Sequence, residues 1–244
     1  MINSPSSYDL HAAVSSLNWW QSAGVDILVD EEPRDWLAAA PIATNTIATA
    51  IASAAPVASV QAPLPKTLDD FIPWFMTSPD MPGLGAERQR IAPAGNRQAD
   101  LMILLDMPEP EDAAAGQLLS GEAGALFDKM LGALGFSRDT IWFAPMVSSR
   151  VAGGAMSASD AERIAEITRH HVGLIAPKML WLLGRAASRA LLGMDEGEAR
   201  GRLHIVNHIS GTSKAIASVH PRVLLQTPKR KADVWSDMQK LIEK

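Results

Sequence analysis

The chain has 244 residues, enough to bury a real core as one mid-sized domain with an extension or as two small domains. Its apolar fraction of 47% and charged fraction of 20% exclude wholesale disorder, and a net charge of -5 gives no global attraction to nucleic acid or anionic membrane. The count of zero cysteines excludes disulfides, thiol nucleophiles, iron-sulfur ligation by cysteine and cysteine-ligated zinc.

Met1-Ile2-Asn3-Ser4-Pro5 lacks a basic region followed by an apolar stretch, and no apolar run reaches membrane-spanning length, so a cytoplasmic protein with no membrane association is expected. Residues 9–22 carry apolar positions at helical spacing and stop before Gly24, which predicts a short amphipathic helix. A second short helix is predicted from Pro33 to Ala40. From Ala38 to Pro65 the composition shifts to Ala, Thr, Ser and Pro with almost no charge, as in a flexible linker. The expected organisation is a helical extension over 1–37, an Ala/Pro/Thr-rich linker over 38–65 and a folded domain over 66–244.

In that domain, strands are predicted at Leu101–Leu105, Thr140–Phe143, Met179–Leu183, Leu203–Val206 and Ala215–Val219, and helices over 121–134, 158–175, 185–192 and 229–243. Strands separated by helices pair in parallel through right-handed crossovers, which predicts a three-layer α/β/α fold around a central, mostly parallel sheet. Sites in such folds lie at the carboxyl ends of the strands, here near residues 106, 145 and 220.

The strand Leu101–Leu105 runs into Asp106-Met107-Pro108-Glu109-Pro110-Glu111-Asp112, and Asp106 is its first charged residue. A general base or cation stabiliser belongs there; alternatively Asp106, Glu109, Glu111 and Asp112 cap the next turn and are solvated. Residues 116–128 read as a Gly-punctuated loop entering a helix, with Ser120 a candidate N-cap and no phosphate-binding signature. His220 stands before Pro221 at the end of the last strand, where a histidine serves structure or chemistry. Arg222, Lys229, Arg230 and Lys231 form either a local phosphate-contacting patch or a solvated face. His204 and His208 have i,i+4 spacing, but on a strand that separates them by roughly 13 Å, too far for a shared metal. His170 and His171 lie late in a helix, where its dipole accounts for at least one of them. The absence of a Gly-x-Ser-x-Gly elbow weighs against an α/β-hydrolase.

Together these segments resemble the uracil-DNA glycosylase superfamily over about residues 68–244, most closely its iron-sulfur (family 4) branch. The family motif Gly-Glu-Ala-Pro-Gly-x-x-Glu-Asp-x-x-Gly-x-Pro-Phe-Val-Gly-x-Ala-Gly-x-Leu-Leu-Asp lies without gaps over Leu105–Asp128, with matches at Pro108, Gly116, Gly121, Ala123, Gly124, Leu126 and Asp128. Ile141–Arg150 resembles the second conserved strand, Leu174–Gly184 the third, and His220-Pro221 through Leu225 the His-Pro-Ser-x-Leu-Leu motif.

The resemblance implies a DNA partner whose uracil nucleotide is flipped into a pocket. It gives Asp106 the role of the carboxylate that positions water or stabilises an oxocarbenium-like sugar, and His220 that of donor to the departing base. It places Leu105, Met107, Pro108, Leu119 and Pro145 in the substrate pocket and Arg222, Lys229 and Arg230 on DNA, with no metal and no cofactor. The departures concentrate in the pocket. Pro145 stands where the family has a base-reading amide, Leu119 where it has a stacking phenylalanine, and Leu105 and Glu109 where it has loop glycines. The cluster-cysteine positions carry Met81, Leu84, Ser149 and Ile164. Two functions are therefore compatible with these residues: a glycosylase excising uracil or another deaminated base, and a catalytically impaired or inactive relative serving as a DNA-binding or protein-interaction module. The N-terminal extension is a candidate protein-binding segment.

Overall fold

A computed structural model describes residues 63–151 and 156–242, together with Ser15. Apart from Ser15, the helices predicted over 9–22 and from Pro33 to Ala40, and the linker through residue 62, lie outside the described residues. Ser15 aside, all that is described falls in the second of the chain's two units, Ala58–Lys244.

The strands are β1 (Ala94–Gly95), β2 (Leu101–Leu105), β3 (Trp142–Pro145), β4 (Met179–Leu183), β5 (His204–His208) and β6 (Gly211–Ser218). They form one sheet of order β1-β3-β2-β4-β6-β5. Strands β3, β2, β4 and β6 are parallel, and the edges β1 and β5 are antiparallel. The unbroken apolar run of β2 is buried throughout, as expected of a central strand covered on both faces.

The helices are α1 (Leu68–Thr77), α2 (Asp112–Ala115), α3 (Glu122–Ala133), α4 (Ala158–Ile175), α5 (Arg185–Leu192), α6 (Glu196–Ala199), α7 (Pro221–Gln226) and α8 (Lys231–Ile242). Alternation along β2 sends Leu101, Ile103 and Leu105 into a core with Phe127 of α3, Leu224 of α7 and Met238 of α8. Met102 and Leu104 enter a second core with Phe71 and Phe75 of α1, Ile164 and Val172 of α4, and Ala187 of α5. The result is the three-layer α/β/α arrangement that the strand and helix alternation predicts. No helix among the described residues is long and apolar enough to cross a membrane.

Some boundaries differ from expectation. Strand β3 starts at Trp142 rather than Thr140 because Ser137–Thr140 closes a turn, with Thr140 N–H donating to Ser137 O and Ser137 N–H to Thr140 Oγ1. The segment predicted at Leu203–Val206 does not enter through a crossover. It forms a hairpin with β6 through the two-residue loop Ile209-Ser210, and this extends β6 back to Gly211. Helices α4 and α5 match their predicted spans, and α4 is capped by Ser157, whose hydroxyl accepts from Asp160 N–H. Ser120 does not cap α3: the N-cap is Gly121, and the Ser120 hydroxyl donates to Asp112 Oδ1 instead. A 3₁₀ turn at Pro228–Arg230 takes the first residues of the final predicted helix. Four parallel strands thus bring their carboxyl ends, and the loops after them, to one side of the sheet.

Candidate active site

Asp106 follows β2 and reaches across to the start of α5. Its Oδ1 accepts from Ala187 N–H at 2.7 Å and its Oδ2 from Ala186 N–H at 3.1 Å, so it serves as a long-range cap for that helix. The approach depends on Gly184, whose φ of +113° suits glycine and whose added Cβ would sit 2.6 Å from Asp106 Oδ2. Burial raises the Asp106 carboxyl above the ordinary aspartate range; the backbone N–H donors oppose that shift, and Glu196 adds to it. The carboxylate lines two cavities. One, of about 300 Å³, also holds Met107, Glu109 and His220. The other, of about 540 Å³, lies between α4 and α5.

His220 follows β6 and caps α7, its Nδ1 accepting from Arg222 N–H at 3.2 Å, with Pro221 in the first helical turn. In the neutral ring this leaves the proton on Nε2. Burial, helped by the Arg222 charge, lowers the His220 pKa to about 4, so near neutral pH the imidazole is an uncharged donor. Nε2 stands 3.5 Å from Glu109 Oε1.

The acidic loop is not a solvated run of caps. Asp112 is wholly buried, accepting from the N–H groups of Glu109, Leu119 and Ser120 at 2.8–2.9 Å, and so folds the loop over the end of β2. Glu109 is 6% exposed, and its Oε2 accepts from Arg222 Nη1 at 3.0 Å with Arg150 Nη1 at 3.9 Å. Burial raises the Glu109 carboxyl against the pull of those two arginines. Of the acidic cluster, Glu111 is exposed.

Asp106, Met107, His220 and Arg222 therefore meet at one cavity. Leu105, Pro108, Leu119 and Pro145 do not line it. Leu105 and Leu119 are packed in the core beside Phe127, Pro145 is buried at the end of β3, and buried Pro108 offers its carbonyl to Arg150. Nor do Arg222, Lys229 and Arg230 form one patch of free cations. Arg222 pairs with Glu109, Arg230 turns to Glu196 at 3.2 Å, and Lys229 is exposed. Arg150 and Arg185, absent from the sequence-based site, stand at the cavity with Arg222. The rule that sites gather beyond strand ends would have pointed to Arg185, which follows β4 across Gly184.

Among the described residues, the remaining histidines make structural hydrogen bonds. His204 Nε2 lies 2.7 Å from Ala199 O, His208 Nε2 3.0 Å from Ser213 Oγ, and His170 Nε2 2.7 Å from Pro65 O. His171 Nε2 accepts from Trp142 Nε1 at 2.9 Å, and burial lowers its pKa to about 3, so it is neutral and the helix dipole does not account for it.

The positions of the cluster cysteines do not fit an iron-sulfur cluster. Met81 and Ile164 are buried in the second core with Leu84 packed against it, and Ser149 Oγ accepts from Gly85 N–H and donates to Gly83 O. A thioether, two hydrocarbon side chains and one satisfied hydroxyl stand where four thiolates are needed. Among the described residues no group of three or more metal-ligating side chains is placed to hold an ion.

Two comparisons bear on this arrangement. The chain is 21% identical over 185 residues to the type-4 uracil-DNA glycosylase of Archaeoglobus fulgidus, covering 73% of this chain and 93% of that protein. A family model described as the uracil DNA glycosylase superfamily matches residues 92–241, which contain Asp106, Glu109, Arg150, Arg185 and His220. By that match, which spans most of the chain and the whole of the cavity, the protein belongs to the uracil-DNA glycosylase superfamily.

Proposed function

We propose that this protein hydrolyses the N-glycosidic bond of uracil or another deaminated base in DNA, a base-excision step of DNA repair. The observation that carries the reading is the meeting of Asp106 and His220 at one cavity beyond the carboxyl ends of the parallel strands. A flipped nucleotide places its sugar against Asp106 and its base against His220. The Asp106 carboxylate stabilises positive charge on the sugar as the bond breaks and orients the water that adds to C1′. Neutral His220 donates from Nε2 to the base oxygen on which negative charge develops, so the base leaves and the sugar remains as an abasic site. Arg150 and Arg185 flank the opening and serve the phosphates. Residues 66–244 are the proposed catalytic domain and 1–37 a partner-binding extension joined by the linker over 38–65.

A second reading, a non-catalytic module, is favoured by one observation: both Asp106 oxygens already accept backbone N–H groups. The deciding assay measures base release from oligonucleotides carrying uracil, hypoxanthine or xanthine, single- and double-stranded. The catalytic reading requires release above an Asp106→Asn/His220→Ala control. Binding without release supports the module.

A further inference from the structure

The proposed mechanism lacks a group that reads the hydrogen-bonding edge of the base, since Pro145 has no polar side chain and lies buried. The cavity holds a carboxylate that the mechanism does not use. Glu109 Oε2 is held by Arg222, whereas Oε1, among the described residues, has only His220 Nε2 beside it at 3.5 Å, beyond a normal hydrogen bond. A donor, Nε2–H, and an acceptor, Oε1, therefore stand side by side at one cavity. With the side chain 6% exposed and its other oxygen clamped, the carboxylate has little freedom to turn to solvent.

We infer that Glu109 is the specificity-determining residue of this site, accepting a hydrogen bond from a ring N–H that adjoins the carbonyl bound by His220. The inference rests on the glycosylase reading and names what that site selects. A carbonyl next to an N–H is a lactam edge, which uracil, hypoxanthine and xanthine carry. Cytosine and adenine do not; cytosine offers a ring-nitrogen lone pair to Oε1, so two acceptors would face each other in a desolvated site. A site built around a hydrogen bond rejects strongly a ligand that lacks it, because the buried partner is left unpaired. Thymine and guanine share the lactam edge, so Glu109 separates deaminated bases from their amino parents and not from these two.

The test compares single-turnover release of uracil and of N3-methyluracil from otherwise identical single-stranded oligonucleotides by the full-length protein, Glu109→Ala and Glu109→Gln. N3-methyluracil keeps both carbonyls and loses only the N–H. Wild type should favour uracil by about a hundredfold or more, and Glu109→Ala should cut that ratio at least tenfold. Thermal melting checks folding. If Glu109→Ala melts early or releases neither base, the Glu109→Gln ratio decides; that variant keeps the side-chain volume and an oxygen for Arg222, and its ratio should also fall. Release of uracil with the same ratio in all three proteins overturns the role of Glu109 and leaves the glycosylase reading standing. No release of either base by wild type overturns both.

Discussion

Replacing Gly184 with alanine places a methyl group where the Asp106 carboxylate now lies. The added Cβ would be 2.6 Å from Oδ2, 2.8 Å from Cγ and 2.9 Å from Oδ1, closer than real Cβ contacts allow. The backbone at φ 113°, ψ 177° belongs to a region almost confined to glycine, which costs about 1–3 kcal/mol for any other residue. The carboxylate must also move, and each charge-assisted bond it loses, to Ala186 or Ala187, costs about 1.5–3 kcal/mol. Strain plus the loss of one such bond gives about 2.5–6 kcal/mol, or a melting temperature lower by roughly 5–24 °C for a folded unit of this size. Gly193→Ala is the control. Its φ is +71° but no atom lies within 4 Å of the added Cβ, so only the left-handed backbone is penalised, by about 1–2 kcal/mol. Thermal and urea denaturation followed by circular dichroism measure both. A Gly184→Ala protein as stable as Gly193→Ala would refute the claim that Asp106 is packed against that glycine and anchored on α5.

Acid should destabilise the fold through two histidines. The folded-state pKa values of His171 (about 3) and His220 (about 4) lie below the ordinary 6.5, so the unfolded chain binds their protons first. Stability is then undiminished above about pH 6.5 and falls as pH drops through the window down to those folded values, with His171 contributing about 2–3 kcal/mol of loss near pH 4.5. His171→Gln retains an acceptor for Trp142 Nε1 and should flatten this acid limb; identical limbs would contradict the assignment. Asp112→Asn turns one buried acceptor into a donor facing N–H groups, which should cost about 3 kcal/mol and expose the segment over 113–118 to limited proteolysis; unchanged stability and protection would count against its organising role. For DNA binding, Arg150→Ala and Arg185→Ala should each weaken a single-stranded oligonucleotide and lower the slope of log affinity against log salt by about 0.7. A larger effect from Lys229→Ala would place the DNA elsewhere.

The features legible in the sequence are those that depend on local pattern. Leu101–Leu105 and Met179–Leu183 read as buried strands because every residue is apolar, and the span of α4 follows its apolar spacing, with the Ser157 cap observed in the structure closing its first turn. Asp106 and His220 stood out because the first polar residue beyond a parallel strand reaches the ligand side of the sheet. The β5–β6 hairpin was hidden because Ile209-Ser210 lacks the usual turn residues and because Leu203, Ile205 and Ile209, apolar yet exposed, mimic a buried crossover strand. The lining of the cavity was hidden for another reason. Glu109 meets Arg222 across 113 residues of chain, and no local pattern encodes such a pair. Strand alternation likewise sends Leu105 toward α3 and α8, away from the position that motif alignment suggests. A motif orders residues along the chain, whereas side-chain direction follows from the sheet.

The measurement that bears most directly on the proposed function is single-turnover release of uracil from a single-stranded oligonucleotide by wild type, Asp106→Asn and His220→Ala, near neutral pH. If these two residues form the active site, wild type releases uracil and leaves an abasic strand, while loss of the His220 donor slows release by about 10²–10³-fold. Asp106→Asn should slow it by a comparable factor, about 10²-fold or more. Release at the same rate by all three proteins, or none by wild type, would contradict it.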